Sequence, residues 1–485
     1  MASRAVADTH EGEFDTLARP CYRGCGTGPT SSAGLLILPG RMRVDGGSVV
    51  GAGQQPLLGE ALEGRLVIGG IDAASLAREY GTPAYVMDEA RLRSNCRAYV
   101  GALRMSYPAS QAFLGSKALC CMATCRLAYD EGLGIDVVSA GEIHTALRAG
   151  IPAGHLLLHG NNKTPDEIAL ALDAGVGRIV VDNFQEFDLL DALTRRTGRI
   201  ADILLRLTPG IEPHTHQAIQ TGGVDSKFGF GILGGVAREA VNRALDIPGV
   251  RLRGRHCHIG SQVMELDPFV RAAKAMMEFA AWVIRERKTP VEELDLGGGL
   301  GIRYVPEDRP PAIADYVQAL AAVVQQGARE YRVPPPKLML EPGRSIVGEA
   351  GITLYTVGTV KVIPGVRTYV SVDGGMYENP RPALYAARYH AVLADRLDEP
   401  ADTTVTIAGR CCESGDVLLW DAALPTPRPG DLLAVFSTGA YTYSMASNYN
   451  RYPRPPVVFA DGGRSRVVVA RETIDDLLAR DVPPA

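Results

Sequence analysis

The chain has 485 residues, 46% of them hydrophobic and 22% charged, which is typical of a globular protein with a large core. Its 50 basic and 55 acidic residues give a formal charge of −5, which argues against a nucleic-acid-binding surface. The apolar runs are too short for a membrane span, and the nine cysteines lack the paired spacing of a zinc site. We therefore expect a cytoplasmic protein with reduced thiols.

The first segment, residues 1–61, is rich in Gly, Ser, Thr and Pro and shows no sustained periodicity. Such a composition predicts a disordered extension. Residues 62–87 begin the ordered chain. They hold a strand-like LVIGG and a helical IDAASLAREYG, which Gly81 is expected to terminate.

Between residues 88 and 345, short apolar runs alternate with longer amphipathic stretches. Eight runs are predicted to be strands: 111–117, 134–138, 155–160, 178–182, 202–207, 252–260, 293–299 and 337–341. Parallel strands require crossover helices, so eight such units predict a closed (β/α)8 barrel of the TIM type. An open doubly wound sheet is the alternative.

The last part of the chain, residues 346–485, has a different pattern. Strand-like runs such as TTVTIAGR and PVVFADGG are separated by turns rich in proline and glycine. This pattern predicts a second, mostly antiparallel β domain.

Lys117 follows the first predicted barrel strand in the stretch AFLGSKALCC. One interpretation is a lysine at the edge of the core, with its stem buried and its amine in water. The other is a lysine kept neutral so that it can form a Schiff base. Active sites of parallel barrels lie at the carboxyl ends of the strands, where Lys117 is expected to lie.

Two further strand ends carry groups that suit a phosphate and a heterocycle. The turn formed by Gly297, Gly298 and Gly299 can bring backbone N–H groups close to a phosphate, or it can be a simple tight turn. Glu341 can keep a ring nitrogen protonated, or it can pair with Arg344. Ser261 can add a hydroxyl group.

A metal site is the remaining alternative at these strand ends. The pair His256 and His258 has spacing that permits a metal, as does the pair His214 and His216, but no carboxylate pair is placed beside them. We assign no metal ligands. A lysine, a glycine turn and an acidic group together predict a pyridoxal phosphate site, whereas a Schiff-base aldolase would need only the lysine.

Ordered motifs over residues 64–481 carry a family resemblance. They include GTPAYVMDE (81–89), HGNNK (159–163), HIGSQ (258–262), DLGGGLGI (295–302), EPGRSIV (341–347), CESGD (412–416) and GAYTYSMASNYN (439–450). In this order the chain resembles the fold-type III pyridoxal phosphate decarboxylases, which have an alanine racemase-like barrel. Within them it is most similar to the branch that acts on diaminopimelate.

The resemblance implies a role for each matching residue. Lys117 would hold the cofactor, His258 would stack on its ring and act in catalysis, and Cys412 would be the catalytic acid. The other cofactor-binding residues would be Ser261, Gly297, Gly298, Gly299, Glu341, Pro342, Gly343, Arg344 and Tyr441. The substrate would be bound by Arg344, Arg381, Tyr385, Glu413 and Tyr441.

The resemblance also implies decarboxylation of meso-diaminopimelate to L-lysine, the last step of lysine biosynthesis. It implies a homodimer in which Cys412 and Glu413 complete the neighbouring site, and an N-terminal strand that joins the C-terminal domain. A sister decarboxylase acting on ornithine or arginine and a non-catalytic relative are the alternatives. The distal substrate residues oppose the first, and the presence of Lys117 and Cys412 opposes the second.

Two departures from the family pattern lie beside the site. Leu114 and Gly115 stand where an aromatic residue and Ala or Pro are usual, and Arg410 stands where proline is usual. We expect them to change rate and fine specificity more than the class of reaction.

Overall fold

A computed structural model describes residues 54–211, 223 and 226–484. The first strands, β1 to β3, form a small antiparallel sheet and are followed by helix α1, with the bounds Glu60–Leu62, Arg65–Ile68, Ile71–Asp72 and Ala73–Tyr80. Helix α1 begins at the cap Asp72 and ends at Gly81, as predicted. His214 and His216 lie outside the described residues.

Part of the predicted extension is included in this ordered region. The backbone N–H of Gln54 donates to the carbonyl of Leu397 at 2.8 Å, and Leu58 is buried against the C-terminal domain. The structure therefore places residues 54–61 in contact with the folded chain, whereas the rest of the 1–61 segment lies outside the described residues.

Strand β4 and helix α2 lead into the barrel, with the bounds Ala84–Asp88 and Glu89–Ser106. The barrel strands β5 to β9 are Ser110–Gly115, Gly134–Val137, Leu156–Leu158, Arg178–Val181 and Ala201–Thr208. Among the described residues, the short strand β10 (Phe230–Gly231) pairs with β9 alone. The last barrel strands, β11 to β13, are Val250–His256, Glu293–Asp295 and Lys337–Leu340.

Seven helices connect consecutive barrel strands. In chain order, α3 to α9 are Met122–Asp130, Ala140–Arg148, Pro165–Ala174, Phe184–Thr197, Val236–Leu245, Asp267–Arg287 and Ile313–Tyr331. Helix α2 contacts α9 and β5 and covers the place where the last strand meets the first. Hydrophobic side chains on the inner faces of these helices bury the outer surface of the barrel.

The eight parallel strands close into a ring. β9 pairs with both β8 and β11, and β13 pairs with β5. Side chains alternate across a strand, so Phe113 points into the ring while Leu114 belongs to the outer core. The interior is filled by Phe113, Leu157, Val180, Leu204 and Met339. The predicted closed barrel is thus confirmed, and the open sheet is excluded.

The second domain is built on a nine-stranded, mostly antiparallel sheet. After the short helix α10 (Arg344–Val347), strands β14 and β15 are Gly351–Ile363 and Arg367–Val372, and helix α11 is Arg381–Tyr385. Strands β16 to β21 are Ala391–Leu393, Thr403–Ala408, Val417–Leu424, Leu432–Phe436, Val457–Asp461 and Arg464–Val469, and helix α12 is Ile474–Leu478.

Strand β4 from the start of the chain lies inside this second sheet. It pairs antiparallel with β14 and parallel with β20. This pairing ties the N-terminal segment to the C-terminal domain. Over the described part of the chain, no helix is both long and apolar enough to cross a membrane.

Candidate active site

Lys117 lies at the carboxyl end of β5, in the short 3-10 turn Ser116–Ala118. Its Nζ atom donates a hydrogen bond to Oδ2 of Asp136 at 2.9 Å, and 47% of its side chain is exposed at the barrel mouth. Asp136 ends the next strand and is fully buried. The turn therefore delivers one accessible amine to the centre of the strand ends.

The surroundings of this amine act on its pKa in opposite directions. Burial at the barrel mouth lowers the pKa of Lys117, but the negative charge of Asp136 outweighs burial and raises it. Tyr441 and Glu341 add to the rise. In the free protein the charged amine is therefore favoured over the neutral lysine of the second interpretation, because the buried Asp136 faces it.

Glu341, after β13, lies between two histidines from opposite sides of the barrel mouth. His159 Nε2 lies 2.6 Å from its Oε1 atom, and His256 Nε2 lies 3.1 Å from its Oε2 atom. All three side chains are buried. The expected alternative, an ion pair between Glu341 and Arg344, is not among the described contacts of either residue, since Arg344 points to Ser261 and Tyr304 instead.

Two buried carboxyl groups at this site have opposite pKa shifts. Burial raises the pKa of Glu341, but His159 and His256 outweigh it and hold that pKa well below its usual range. Burial raises the pKa of Asp295 well above its usual range, and the charge of Glu341 adds to the rise. Glu341 is therefore the more readily ionised of the two carboxyl groups, because it lies against the histidines.

The glycine turn after β12 has no room for larger residues. Gly297 and Gly299 have φ values of 67° and 114°. A Cβ atom at Gly298 would lie 2.2 Å from the carbonyl oxygen of Glu341. The backbone N–H of Gly298 donates to Nδ1 of His258 at 3.3 Å, so the turn also orients this half-buried ring.

Ser261, Arg344 and Tyr441 lie together beside this turn. Arg344 Nη2 donates to Oγ of Ser261 at 2.8 Å, and its guanidinium carbon lies 4.8 Å from the centre of the Tyr441 ring. The backbone N–H of Tyr441 donates to the carbonyl of Ala118 at 2.8 Å. That bond ties Tyr441 to the turn that carries Lys117.

Pro342 and Gly343 support the same turn from the other side. The carbonyl of Pro342 accepts the N–H of Gly115 at 3.0 Å. A Cβ atom at Gly343 would lie 2.9 Å from the carbonyl oxygen of Gly115. These two residues therefore act on the position of Lys117 through its backbone.

Two buried arginines flank the ring of Tyr304. The Arg381 guanidinium carbon lies 4.8 Å from the ring centre and that of Arg344 lies 5.7 Å away, while Arg344 Nη1 also donates to the phenol oxygen. Arg381 Nη1 donates to Oη of Tyr389 at 2.6 Å. We call Arg344, Arg381, Tyr304 and Tyr389 the arginine clamp. Tyr385 is half-buried at the end of α11, the helix that begins with Arg381.

Cys412 and Glu413 lie on an exposed loop of the C-terminal domain. The backbone N–H of Cys412 donates to Oδ1 of Asn450 at 2.7 Å, and Glu413 accepts from the phenol of Tyr449 at 3.3 Å. Within the described part of one chain, neither residue has a hydrogen bond or ion pair with the group around Lys117. The structure thus brings together the predicted residues of the barrel mouth and the arginine clamp, places Tyr385 on the same short helix as Arg381, and leaves Cys412 and Glu413 apart.

The residues at the barrel mouth fit pyridoxal phosphate. Lys117 offers an amine for the aldehyde, and ionised Glu341 offers an acceptor for a protonated ring nitrogen. The glycine turn of Gly297–Gly299, the Ser261 hydroxyl and the Arg344 guanidinium suit a phosphate. One oxygen of Asp136 and Nδ1 of His256 are buried without a hydrogen-bond partner, which is the mark of a site built for a polar ligand.

The same histidines and glutamate would also accept a divalent metal ion. The donor atoms of His159, His256 and Glu341 all lie within 4.8 Å of one another. This cluster was not foreseen as a metal site. A metal there would leave the glycine turn and Lys117 without a role.

Comparison with known proteins separates these possibilities. Residues 90–348 match the model for the pyridoxal binding domain of pyridoxal-dependent decarboxylases. A diaminopimelate decarboxylase of Bacillus subtilis (strain 168) is 50% identical over 422 residues, which span 87% of this chain and 96% of that protein.

The chain belongs to the diaminopimelate decarboxylase family.

Two solved structures of the family agree. The diaminopimelate decarboxylase of M. jannaschii in complex with L-lysine has 35% identity and a TM-score of 0.82, covering 88% of this chain and 98% of its own. That of Helicobacter pylori complexed with L-lysine has 30% identity and a TM-score of 0.76, covering 84% and 98%. The predicted fold, carboxy-lyase class and pyridoxal phosphate cofactor are confirmed by this membership.

In this member of the diaminopimelate decarboxylase family, several site residues were not assigned a role from the sequence. Asp136 had been given no role, His159 and Asp295 had appeared only within motifs, and His256 had appeared only in a pair whose spacing permits a metal. Tyr304 and Tyr389 were not noted at all. A polar residue at a barrel strand end was the usable signal for the first four, whereas no local pattern distinguishes the two tyrosines from core aromatic residues.

Proposed function

We propose that this chain removes carbon dioxide from meso-diaminopimelate to give L-lysine, as the last step of lysine biosynthesis. The observation that carries the proposal is the arginine clamp beside the Lys117 group. Two buried guanidinium groups suit a substrate with a second carboxylate, because their planar forks match carboxylates bidentately. Ornithine and arginine lack that second carboxylate.

Pyridoxal phosphate, when bound, supplies an aldehyde for the substrate amine and a ring that takes up the electrons left by the departing carbon dioxide. Lys117 would anchor the cofactor through its amine, and Glu341, which lies against His159 and His256, would hold a proton at the ring nitrogen. His258 would pack against the ring, and Ser261, the glycine turn and Tyr441 would hold the phosphate.

Substrate orientation is assigned to the clamp and its neighbours. Arg344, Arg381 and Tyr385 bind the distal carboxylate, and Glu413 pairs with the distal ammonium. Cys412 donates the proton that replaces carbon dioxide at the α-carbon, a task suited to a thiol whose usual pKa lies near working pH.

The placement of Cys412 and Glu413 supports a homodimer. Both lie on an exposed loop and lack a described contact with the Lys117 group of their own chain. We therefore assign them to the site of a second copy, so that each active site has Lys117 from the barrel of one protomer and Cys412 from the loop of the other. We place the enzyme in the cytoplasm, in keeping with seven described cysteines that are all free thiols.

Carbon dioxide release tests the proposed reaction. The purified protein with pyridoxal phosphate is offered diaminopimelate, ornithine and arginine in parallel, and only diaminopimelate should be turned over at an appreciable rate. Arg381→Ala should raise the KM for diaminopimelate by at least about tenfold, because a charged hydrogen bond is lost. Equal turnover of ornithine would overturn the substrate assignment.

A complementation experiment tests the shared site. Lys117→Ala and Cys412→Ala proteins should each be nearly inactive, and a mixture of the two should regain about one quarter of the activity through mixed dimers with one intact site. No recovery after demonstrated subunit exchange would show that Cys412 acts within its own chain.

A further inference from the structure

A cavity of about 710 Å³ lies outside the active site, and none of the four residues of the arginine clamp lines it. It is lined by Arg303 and His390, which are the immediate chain neighbours of the clamp residues Tyr304 and Tyr389. Gln55 and Leu57 of the N-terminal segment and Arg309 complete part of the wall. None of the residues assigned to the reaction lines this cavity.

The cavity presents guanidinium groups that have few partners. Arg303 has one hydrogen bond in the described structure, 3.5 Å from Nη2 to the carbonyl of Leu57. Arg309 donates only to backbone carbonyls of its own loop. Among the described residues, no carboxylate lies within ion-pair distance of either. Arg91 is 3.9 Å from Glu349, too long for a hydrogen bond.

The acidic side chains of the cavity do not neutralise these groups. Oδ2 of Asp308 accepts the backbone N–H of Tyr304 at 2.9 Å and that of Val305 at 3.1 Å, so this carboxylate is engaged by its own loop. Glu349 is left to face Arg91. Three guanidinium groups against two carboxylates leave a net positive charge in a concave space, where the attraction for an anion is stronger than on a flat surface.

We propose that this cavity is a binding site for a small carboxylate-bearing molecule, held by Arg303 and Arg309 and distinct from the active site. A carboxylate fits better than a doubly charged phosphate because the net excess is small and Glu349 would repel a second negative charge. Guanidinium groups bind carboxylates through paired N–H donors, and both arginines have donors available for this purpose.

A ligand in the cavity should change the position of Tyr304 in the arginine clamp. Asp308 fixes the backbone of Tyr304, and Tyr304 lies between Arg344 and Arg381. A ligand drawn to Arg303 and Arg309 therefore acts on both ends of the loop that positions Tyr304. This coupling rests on the proposed function, since it assumes that the arginine clamp binds the substrate. The binding of a carboxylate in the cavity does not depend on that assumption.

Titration calorimetry of the holoenzyme with butyrate, a monocarboxylate, tests the binding site. Butyrate should bind saturably at low millimolar concentration, with a stoichiometry that falls by one per chain in Arg303→Met and in Arg309→Met. Arg271→Met is the matched control, because Arg271 pairs with Asp267 on the surface of α8, away from the cavity, and it should bind as the unaltered protein does. Arg309 is exposed, so its variant remains informative if Arg303→Met does not fold.

Steady-state kinetics test the coupling. Butyrate should change the KM for diaminopimelate about fivefold in the unaltered enzyme and leave it unchanged in Arg309→Met, apart from any competitive effect that both enzymes share. Unchanged stoichiometry in both arginine variants, the absence of saturable binding below about 10 mM, or equally tight binding of inorganic phosphate would overturn the proposed site. Binding without a change in KM would overturn only the coupling.

Discussion

The Nε2 atom of His159 lies 2.6 Å from Oε1 of Glu341, and both side chains are buried at the barrel mouth. The histidine thereby offsets the cost of burying the carboxylate, which alone would raise its pKa. His256 lies on the other side at 3.1 Å, and because burial lowers its own pKa to about 4, it supports the carboxylate as a neutral hydrogen-bond donor and not as a charge. The ionised state of Glu341 is therefore maintained by neighbours and not by solvent.

Replacing His159 should move the acid limb of the pH–rate profile. In His159→Leu the pKa of Glu341 rises because a stabilising partner is lost. The ionised form then appears only at higher pH, and kcat at neutral pH should fall about tenfold to a hundredfold. His155→Leu is the control, since His155 is exposed just before the same strand. An unchanged acid limb in His159→Leu would contradict this role.

Replacing Asp136 should make Lys117 easier to deprotonate. Asp136 is the main cause that raises the pKa of the amine, so Asp136→Asn should lower it. The apoprotein variant should then capture pyridoxal phosphate covalently at a lower pH than the unaltered apoprotein does, as followed by visible absorbance and by borohydride trapping. Asp130→Asn, on the surface of α3, should leave that pH dependence unchanged. A shift to higher pH in Asp136→Asn would refute the assignment.

The phenol of Tyr304 should matter for substrate binding and little for stability. Tyr304→Phe removes the acceptor for Arg344 and leaves the ring between the two guanidinium groups. The KM for diaminopimelate should rise about tenfold, since a hydrogen bond to a charged group contributes about 1.5–3 kcal/mol. Tyr316→Phe is the control, because its buried hydroxyl has no described hydrogen-bond partner. Equal KM values for the two variants would argue against the clamp.

Removing the buried charge of Arg255 should stabilise the protein. Arg255 is 0% exposed, donates one hydrogen bond to the carbonyl of Gly254, and has two buried nitrogens without a described partner. Burial lowers the pKa of Arg255 to about 9. Arg255→Met should raise the free energy of unfolding by about 1–3 kcal/mol. Arg253→Met is the control: it removes a partly exposed partner of Glu292 and should not raise the free energy of unfolding. A lower melting temperature for Arg255→Met would contradict the prediction.

Restoring the usual alanine at Gly115 should be tolerated. A Cβ atom there would have its nearest neighbours at 3.5–3.6 Å, which is ordinary contact, and φ is −65°. Gly115→Ala should therefore add about 0.4–1 kcal/mol of stability by restricting the unfolded chain, with kcat nearly unchanged. Gly298→Ala is the contrasting variant and should lose cofactor affinity, because its Cβ would overlap the backbone of Glu341. Loss of stability in Gly115→Ala would contradict the geometry.

The sequence predicts the barrel well because its strands and helices have different hydrophobic periods. The run 134–138 corresponds to strand Gly134–Val137, and the run 178–182 to Arg178–Val181. Lys117 follows the first barrel strand and Glu341 follows the last, and this position after a strand made both residues recognisable. Local pattern was sufficient for these features.

The pairing of side chains at the mouth could not be read in the same way. Glu341 contacts His159 and His256, which are 182 and 85 residues away in the chain. Lys117 contacts Asp136, and nothing in the local sequence around Lys117 indicates that a buried carboxylate lies beside it. These contacts exist only once the ring closes and sets which strand ends face each other. The roles of Cys412 and Glu413 stay predictions, because their assignment depends on a second copy of the chain.

The position of β4 in the C-terminal sheet has a consequence for biosynthesis. Residues 84–88 emerge from the ribosome early, yet they pair with residues 351–354 and 457–460, which are made only after the barrel. The strand must therefore remain unpaired while the whole barrel is translated, and its apolar edge is a point of attack for aggregation or chaperones. Synthesis rate and chaperone supply should thus limit the yield of this enzyme more than the intrinsic stability of its barrel does.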